Sequence, residues 1–202
     1  MAKTSKPSDE SLRRTAYHEA GHAVASLFLG RHPTCVSIVP TKRSFRLKRP
    51  YWTARSVDGP RLGLGRFDKR YLSEIERSVV VFLAGREAEK RFCGRALPHG
   101  CAWDRDAVSM NLLLAAGGDA EEARLWWRLL EYRSRRLVSL RWPQIQLLAA
   151  ALLVRETVSG VEVRALVAAL SPKDVAEIKV SAADARRRAD SAERPSVGES
   201  EQ

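Results

Sequence analysis

Cysteine is scarce in this chain: Cys35, Cys93 and Cys101 make an odd count with no CxxC pair. That excludes a disulfide framework and suits a reducing compartment. Long apolar runs are missing as well. The longest, Leu147 to Val154 and Val79 to Ala84, fall short of the ~20 residues a membrane-crossing helix needs. Residues Met1 to Glu10 are polar and hold no apolar signal-peptide core, so the expected location is the cytoplasm. Acidic residues are outnumbered, 24 against 35 Lys and Arg, for a net charge of +11. The excess is spread over Lys42 to Arg70, Arg124 to Arg141 and Arg186 to Arg188, with no dense basic arm and no recognisable nucleic-acid module. Such a surface attracts polyanions without specificity.

What is present describes a folded domain. The chain has 202 residues, 45% of them apolar and 29% charged, which excludes disordered and collagenous classes and gives enough length to bury a core. Apolar and small residues recur at three and four from Ser11 to Gly30, which predicts a first helix. The β-branched run from Cys35 to Val39 predicts a short strand ending at Pro40. From Thr41 to Asp68 the sequence is irregular, with Phe45 to Leu47 and Tyr51 to Thr53 as strand fragments and Asp58-Gly59-Pro60 as a turn. Helices are expected from about Arg70 to Phe92, Asp104 to Ala116, Ala120 to Leu137 with Asp119 as cap, Pro143 to Val158, and Val161 to Leu170. Trp126 and Trp127, with Leu125, Leu129 and Leu130, read as helix-packing groups. The fold class is therefore mainly α with a small β element after the first helix.

The chemistry concentrates in His18-Glu19-Ala20-Gly21-His22, an HExxH on the first helix. Residues four apart share a helical face, so both imidazoles can converge on one Zn²⁺, with the Glu19 carboxylate beside it to take a proton from water. Bound zinc polarises a carbonyl and acidifies water, and the glutamate then serves as base and acid; that is peptide-bond hydrolysis. A lone histidine on such a face would read as a satisfied core group. Two at this spacing, with glutamate second and small Ala20, Gly21 and Ala23 around them, favour the metal.

Catalytic zinc takes three protein ligands. The extended form HExxHxxGxxH is excluded, because Ala25 and Phe28 hold its eighth and eleventh positions. The third ligand must come from His32, His99, Glu74, Glu87, Glu89, Asp104 or Asp106, and spacing does not choose among them.

The segment Arg14-Thr-Ala-Tyr-His-Glu-Ala-Gly-His-Ala-Val24 resembles the zinc helix of the FtsH-type AAA protease peptidase family, R-x-A-Y-H-E-A-G-H-A-V. Val80-Val-Phe-Leu-Ala-Gly-Arg-Glu-Ala-Glu89 is similar to its L-x-G-R-A-A-E-E stretch, and Leu152-Leu-Val-Arg-Glu-Thr-Val-Ser-Gly-Val-Glu-Val163 to its L-L-E-x-E-T-L-x-G-x-E-I. The resemblance covers residues 12–170. It implies a zincin-like helical endopeptidase domain over residues 11–172; the composition on either side predicts a flexible lead of residues 1–10 and a basic, helical to disordered tail of residues 173–202. The resemblance also implies an aspartate ligand from a T-G-A-x-x-D segment. His99-Gly-Cys-Ala-Trp-Asp104 occupies that place, so Asp104 is the expected ligand, with Asp106 and His99 behind it.

Family members are fused to a hexameric ATPase and usually anchored in a membrane. This chain has no GxxxxGK[ST] phosphate loop and no membrane helix, so the expected activity is that of a stand-alone peptidase on protein or peptide substrates; a peptidase that acts only with a separate AAA ATPase supplied in trans is a further reading. The family's substrate-pairing segment after the strand is replaced by Thr41 to Arg46. The alternative reading is a noncatalytic regulator that keeps the zinc helix and meets a partner, nucleic acid included, through its basic surface.

Overall fold

Small residues decide how the first two long helices meet. In the computed structural model, which describes residues 9–39, 45–47, 69–96 and 102–169, α1 (Asp9–Phe28) crosses α2 (Lys69–Cys93) with Gly21 at the contact. A Cβ at Gly21 would lie 2.6 Å from the Ala84 carbonyl oxygen and 2.7 Å from the Ala88 Cβ, so the backbones approach closer than any side chain allows. Ala16, Ala20, Ala23, Val24 and Ala25 of α1 are wholly buried at this and neighbouring contacts.

The middle of α2 is apolar all round, and it is buried all round. Val79, Val80, Val81, Phe82 and Leu83 are each buried, as expected of a helix with neighbours on every side. Val81, Ala84 and Ala88 join α1 and Ile145, Leu148, Ala149 and Leu152 of α5 (Trp142–Arg155) in one core cluster. Ile75, Val79, Phe82 and Leu83 join Val108 and Leu112 of α3 (Ala102–Ala115) and Leu130 of α4 (Ala120–Leu140) in a second. Trp126 and Trp127 pack against this second cluster, as expected, whereas Leu125 and Leu129 face outward.

Turn chemistry sets the helix ends. Gly117 and Gly118 adopt positive φ between α3 and α4, a conformation glycine takes without steric cost. Asp119 then caps α4, accepting bonds from the amides of Glu121 at 2.8 Å and Glu122 at 2.9 Å. Pro143 lies in the first turn of α5, where its missing N–H costs nothing.

A three-stranded antiparallel sheet of order β2-β1-β3 sits beside the helices. It consists of β1 (Pro33–Ser37), β2 (Phe45–Leu47) and β3 (Thr157–Ser159), and β3 leads directly into α6 (Gly160–Ala169). β1 is central, pairing Cys35, Val36 and Ser37 with Ser159, Val158 and Thr157 on one side and Cys35 and Val36 with Arg46 and Phe45 on the other. A Cβ at Gly160 would collide with the Pro33 carbonyl oxygen, so only glycine fits where α6 begins against β1.

The mainly α architecture with a small β element after the first helix is as expected, with four local corrections. α1 starts at Asp9, so residues 9 and 10 belong to the helix and not to a flexible lead. The first strand spans Pro33–Ser37 instead of residues 35–39. α3 starts at Ala102, which puts Asp104 inside the first turn instead of at a cap. α5 stops at Arg155, where Glu156 takes φ 59°, and the residues expected to continue it form β3. Their partner is β1, some 120 residues away in sequence, and local periodicity cannot report it. Tyr51 to Thr53, the turn at Asp58, residues 1–8 and the tail from residue 173 lie outside the described residues. The described residues up to 167 belong to one compact unit, and of the second, residues 168–202, only the last two residues of α6 are described. No single helix among the described residues is long and apolar enough to cross a membrane.

Candidate metal centre

His18 and His22 stand one turn apart on the buried face of α1, and Asp104 reaches them from the first turn of α3. The three side chains converge. His18 Nε2 lies 3.0 Å from His22 Nε2 and 3.1 Å from Asp104 Oδ2, and His22 Nε2 lies 3.3 Å from that oxygen. Zinc bonds of about 2.0–2.1 Å in a tetrahedral array put ligand atoms about 3.3–3.4 Å apart. The triangle thus has nearly the dimensions of one face of a zinc tetrahedron. Among the described residues it is the only group of three or more His, Cys, Asp or Glu side chains with ligand atoms so close.

The other ring nitrogens orient the imidazoles. His22 Nδ1 lies 2.8 Å from the Val81 carbonyl oxygen; a carbonyl only accepts, so Nδ1 carries a hydrogen and Nε2 is the nitrogen turned to the centre, where loss of its proton would free a lone pair for a metal. His18 Nδ1 faces Glu89 Oε2 at 3.6 Å, a charge contact longer than a hydrogen bond. Glu89 is itself buried and its Oε1 lies 3.6 Å from Arg14 Nε. Arg14 is tied down by bonds from its guanidinium to Cys93 Sγ and the Arg95 carbonyl oxygen, both 3.1 Å. Backbone carbonyls and carboxylates in this outer position are what metal-ligating histidines ordinarily have.

Gly85 on α2 makes room for the ring: a Cβ there would lie 2.6 Å from His22 Cε1 and closer still to Nε2. The resembled G-R-x-A-E stretch of α2 thus has local physical content. Gly85 clears space for one histidine, Ala88 lets α1 approach, and Glu89 faces the other histidine.

Glu19 completes the site. Its side chain is buried, and Oε2 has no hydrogen-bond partner among the described residues. Burial pushes its carboxyl above the usual range, opposed by His22 and His18 and reinforced by the Asp104 charge. Asp104 behaves oppositely. Burial would raise it, but the charge of His22 and the hydrogen bonds from both histidines hold it well below the usual carboxylate range. Two acids within one site are driven apart, one toward holding a proton and one toward staying charged.

Comparison with models of protein families and with curated proteins finds no match for this chain.

The remaining ligand candidates are accounted for by position. Glu74 pairs with Arg31 at 2.8 Å and Arg77 at 3.1 Å. Glu87 is buried against Arg135 and Arg86. His32 and Asp106 are exposed and outside the cluster, and His99 lies outside the described residues. The outer partners Val81, Gly85 and Arg14 carried no ligand-like signal in the sequence, because a carbonyl, a missing side chain and a cation become site components only through packing.

Proposed function

We propose that the chain is a zinc-dependent metallopeptidase of zincin-like, FtsH-peptidase-like type, in which His18, His22 and Asp104 hold Zn²⁺ and Glu19 is the general base. The observation that carries this reading is the three-atom triangle, drawn from residues 86 positions apart and matched to the size of a zinc coordination face. The buried Glu19 oxygen supports it, since a carboxylate so placed needs a donor and a water at the centre would supply one. When bound, zinc would act as a Lewis acid and bring the pKa of a coordinated water toward about 7.

The chain's own residues define the rest. Val81 fixes the His22 tautomer, Glu89 balances charge on His18, and Asp104 remains ionised as an anionic ligand. Glu19, its proton affinity raised by burial, takes a proton from the attacking water and passes it to the leaving amine. A protein or peptide is the proposed substrate, with a separate AAA ATPase in trans as the proposed unfolding partner.

Elemental analysis of wild type, His22→Ala and Asp104→Ala tests the site. One zinc per chain is expected in wild type and none in either variant. Glu19→Gln should retain the metal and lose hydrolysis of an unfolded fluorescent protein substrate by 10²-fold or more, within the range of about 10²–10⁴ that general-base catalysis contributes. Equal turnover in wild type and Glu19→Gln would remove the enzymatic reading.

Nucleic-acid binding is not favoured by the described surface. Arg124, Arg133, Arg135, Arg86 and Arg155 are engaged by Glu121, Glu76, Glu87, Glu131 and Glu162. These five side chains are held by carboxylates and are less available to a phosphate backbone.

A further inference from the structure

α4 has a second apolar stripe on the side opposite its core face. Leu130, Ser134 and Val138 point inward and are buried. Leu125, Leu129, Tyr132 and Leu140 point outward, each about half exposed or more, at 53%, 48%, 59% and 49%. Their spacing of four, three and eight places them on one line of the helix, with exposed Arg136 completing the repeat between Tyr132 and Leu140. Isolated exposed leucines are ordinary on protein surfaces, but a collinear row down a 21-residue helix is a surface built to be covered.

Charge along the stripe indicates what covers it. Acids sit only at its N-terminal end, where Glu121 and Glu122 are exposed beside Arg124; of the exposed cations nearest the stripe, Arg128 lies just before its middle and Arg133 and Arg136 lie beyond it. Glu121 is held by Arg124 and Arg133 by Glu76, whereas Glu122 at one end, Arg128 near the middle and Arg136 toward the other end make no ion pair among the described residues. A surface acidic at one end, basic at the other and apolar between is complementary to its own copy turned end for end. Two-fold, isologous pairing produces that arrangement.

We propose that the α4 stripe is a homodimer interface in which two copies pack antiparallel about an axis at Leu129, Leu129 facing Leu129 and Leu125 facing Tyr132, with Glu122 of each copy near Arg136 of the other. The helix is about 30 Å long, and one helical stripe lies at the small end of the roughly 1,200–2,000 Å² that specific interfaces bury. An interface of that size suits a reversible association.

Sedimentation of the full chain over about two decades of micromolar concentration, with and without a zinc chelator, tests this. A shift from 22.6 kDa toward twice that mass is expected in both conditions, so the result is independent of the metal reading. Leu129→Glu, confirmed as folded by circular dichroism, should stay monomeric. Glu122→Arg and Arg136→Glu should each weaken the dimer about tenfold, and the double variant should restore it, a signature that a general loss of stability cannot give. A wild-type chain that remains monomeric throughout overturns the proposal, as does a dimer indifferent to Leu129→Glu. If that monomer instead floats with anionic vesicles, the stripe faces a lipid surface.

Discussion

Glu19 and Glu89 are both buried carboxylates, and their surroundings give them different tests. The Glu19 carboxyl is raised by burial. A group raised in the folded state contributes stability that is complete below its unfolded value, about 4.3, and is lost as pH rises through the folded value. Metal-free Glu19→Gln should therefore melt higher than metal-free wild type at pH 7–8, and the difference should shrink as pH falls toward 4; thermal melts in chelator measure both. Glu89 acts at 3.6 Å through charge. Glu89→Gln, which keeps the shape and removes the charge, should weaken zinc binding by about tenfold or more in competition with a chromophoric chelator. Unchanged affinity would reduce Glu89 to a packing role. The HExxH spacing made His18, Glu19 and His22 readable from sequence. Glu89 appeared there only as one carboxylate among several, because its place behind His18 depends on which way α2 faces α1.

At the scale of elements, the α1–α2 crossing holds the site at its working spacing. Gly21→Ala tests this through its sign. In an exposed helix interior that change stabilises by about 1 kcal/mol, but here the new Cβ meets backbone at 2.6 Å and Ala88 at 2.7 Å. A net loss on the order of 1–3 kcal/mol is expected from overpacking, measured by urea unfolding. The helices themselves were legible from apolar period and end signals, within a few residues at each boundary. β3 was not. Thr157 and Val158 have strand-forming side chains, yet three residues between two helices acquire strand geometry only because β1 offers a free edge. The start of α6 was within reach of the sequence: Ser159 and Glu162 form a capping box, with Ser159 N and Oγ donating to Glu162 Oε2 at 3.0 and 2.6 Å, and the S-x-x-E pattern was present to be read.

For the whole molecule, the consequence of the proposed site is a cross-link between α1 and α3. A metal that binds only the folded chain stabilises it by about 2.7 kcal/mol at a free concentration 100 times its Kd. Zinc should raise the melting temperature of wild type by several degrees, chelator should reverse the shift, and Asp104→Ala should abolish it without lowering the metal-free melting temperature comparably. A shift that survives in Asp104→Ala would mean the third ligand lies elsewhere.

The sequence by itself determined the helical character, the two histidines and glutamate on one helical face, and the small residues around them, since helical period and residue volume are local properties. It left the third ligand among seven residues, narrowed to Asp104 only through a family likeness. Tertiary structure brought Asp104 to the histidines, gave Val81, Gly85 and Glu89 their supporting places, paired β3 with β1 and turned Leu125 and Leu129 outward. Each of these depends on contacts between distant residues, whose positions follow from the close packing of helices and not from the pattern within any one of them.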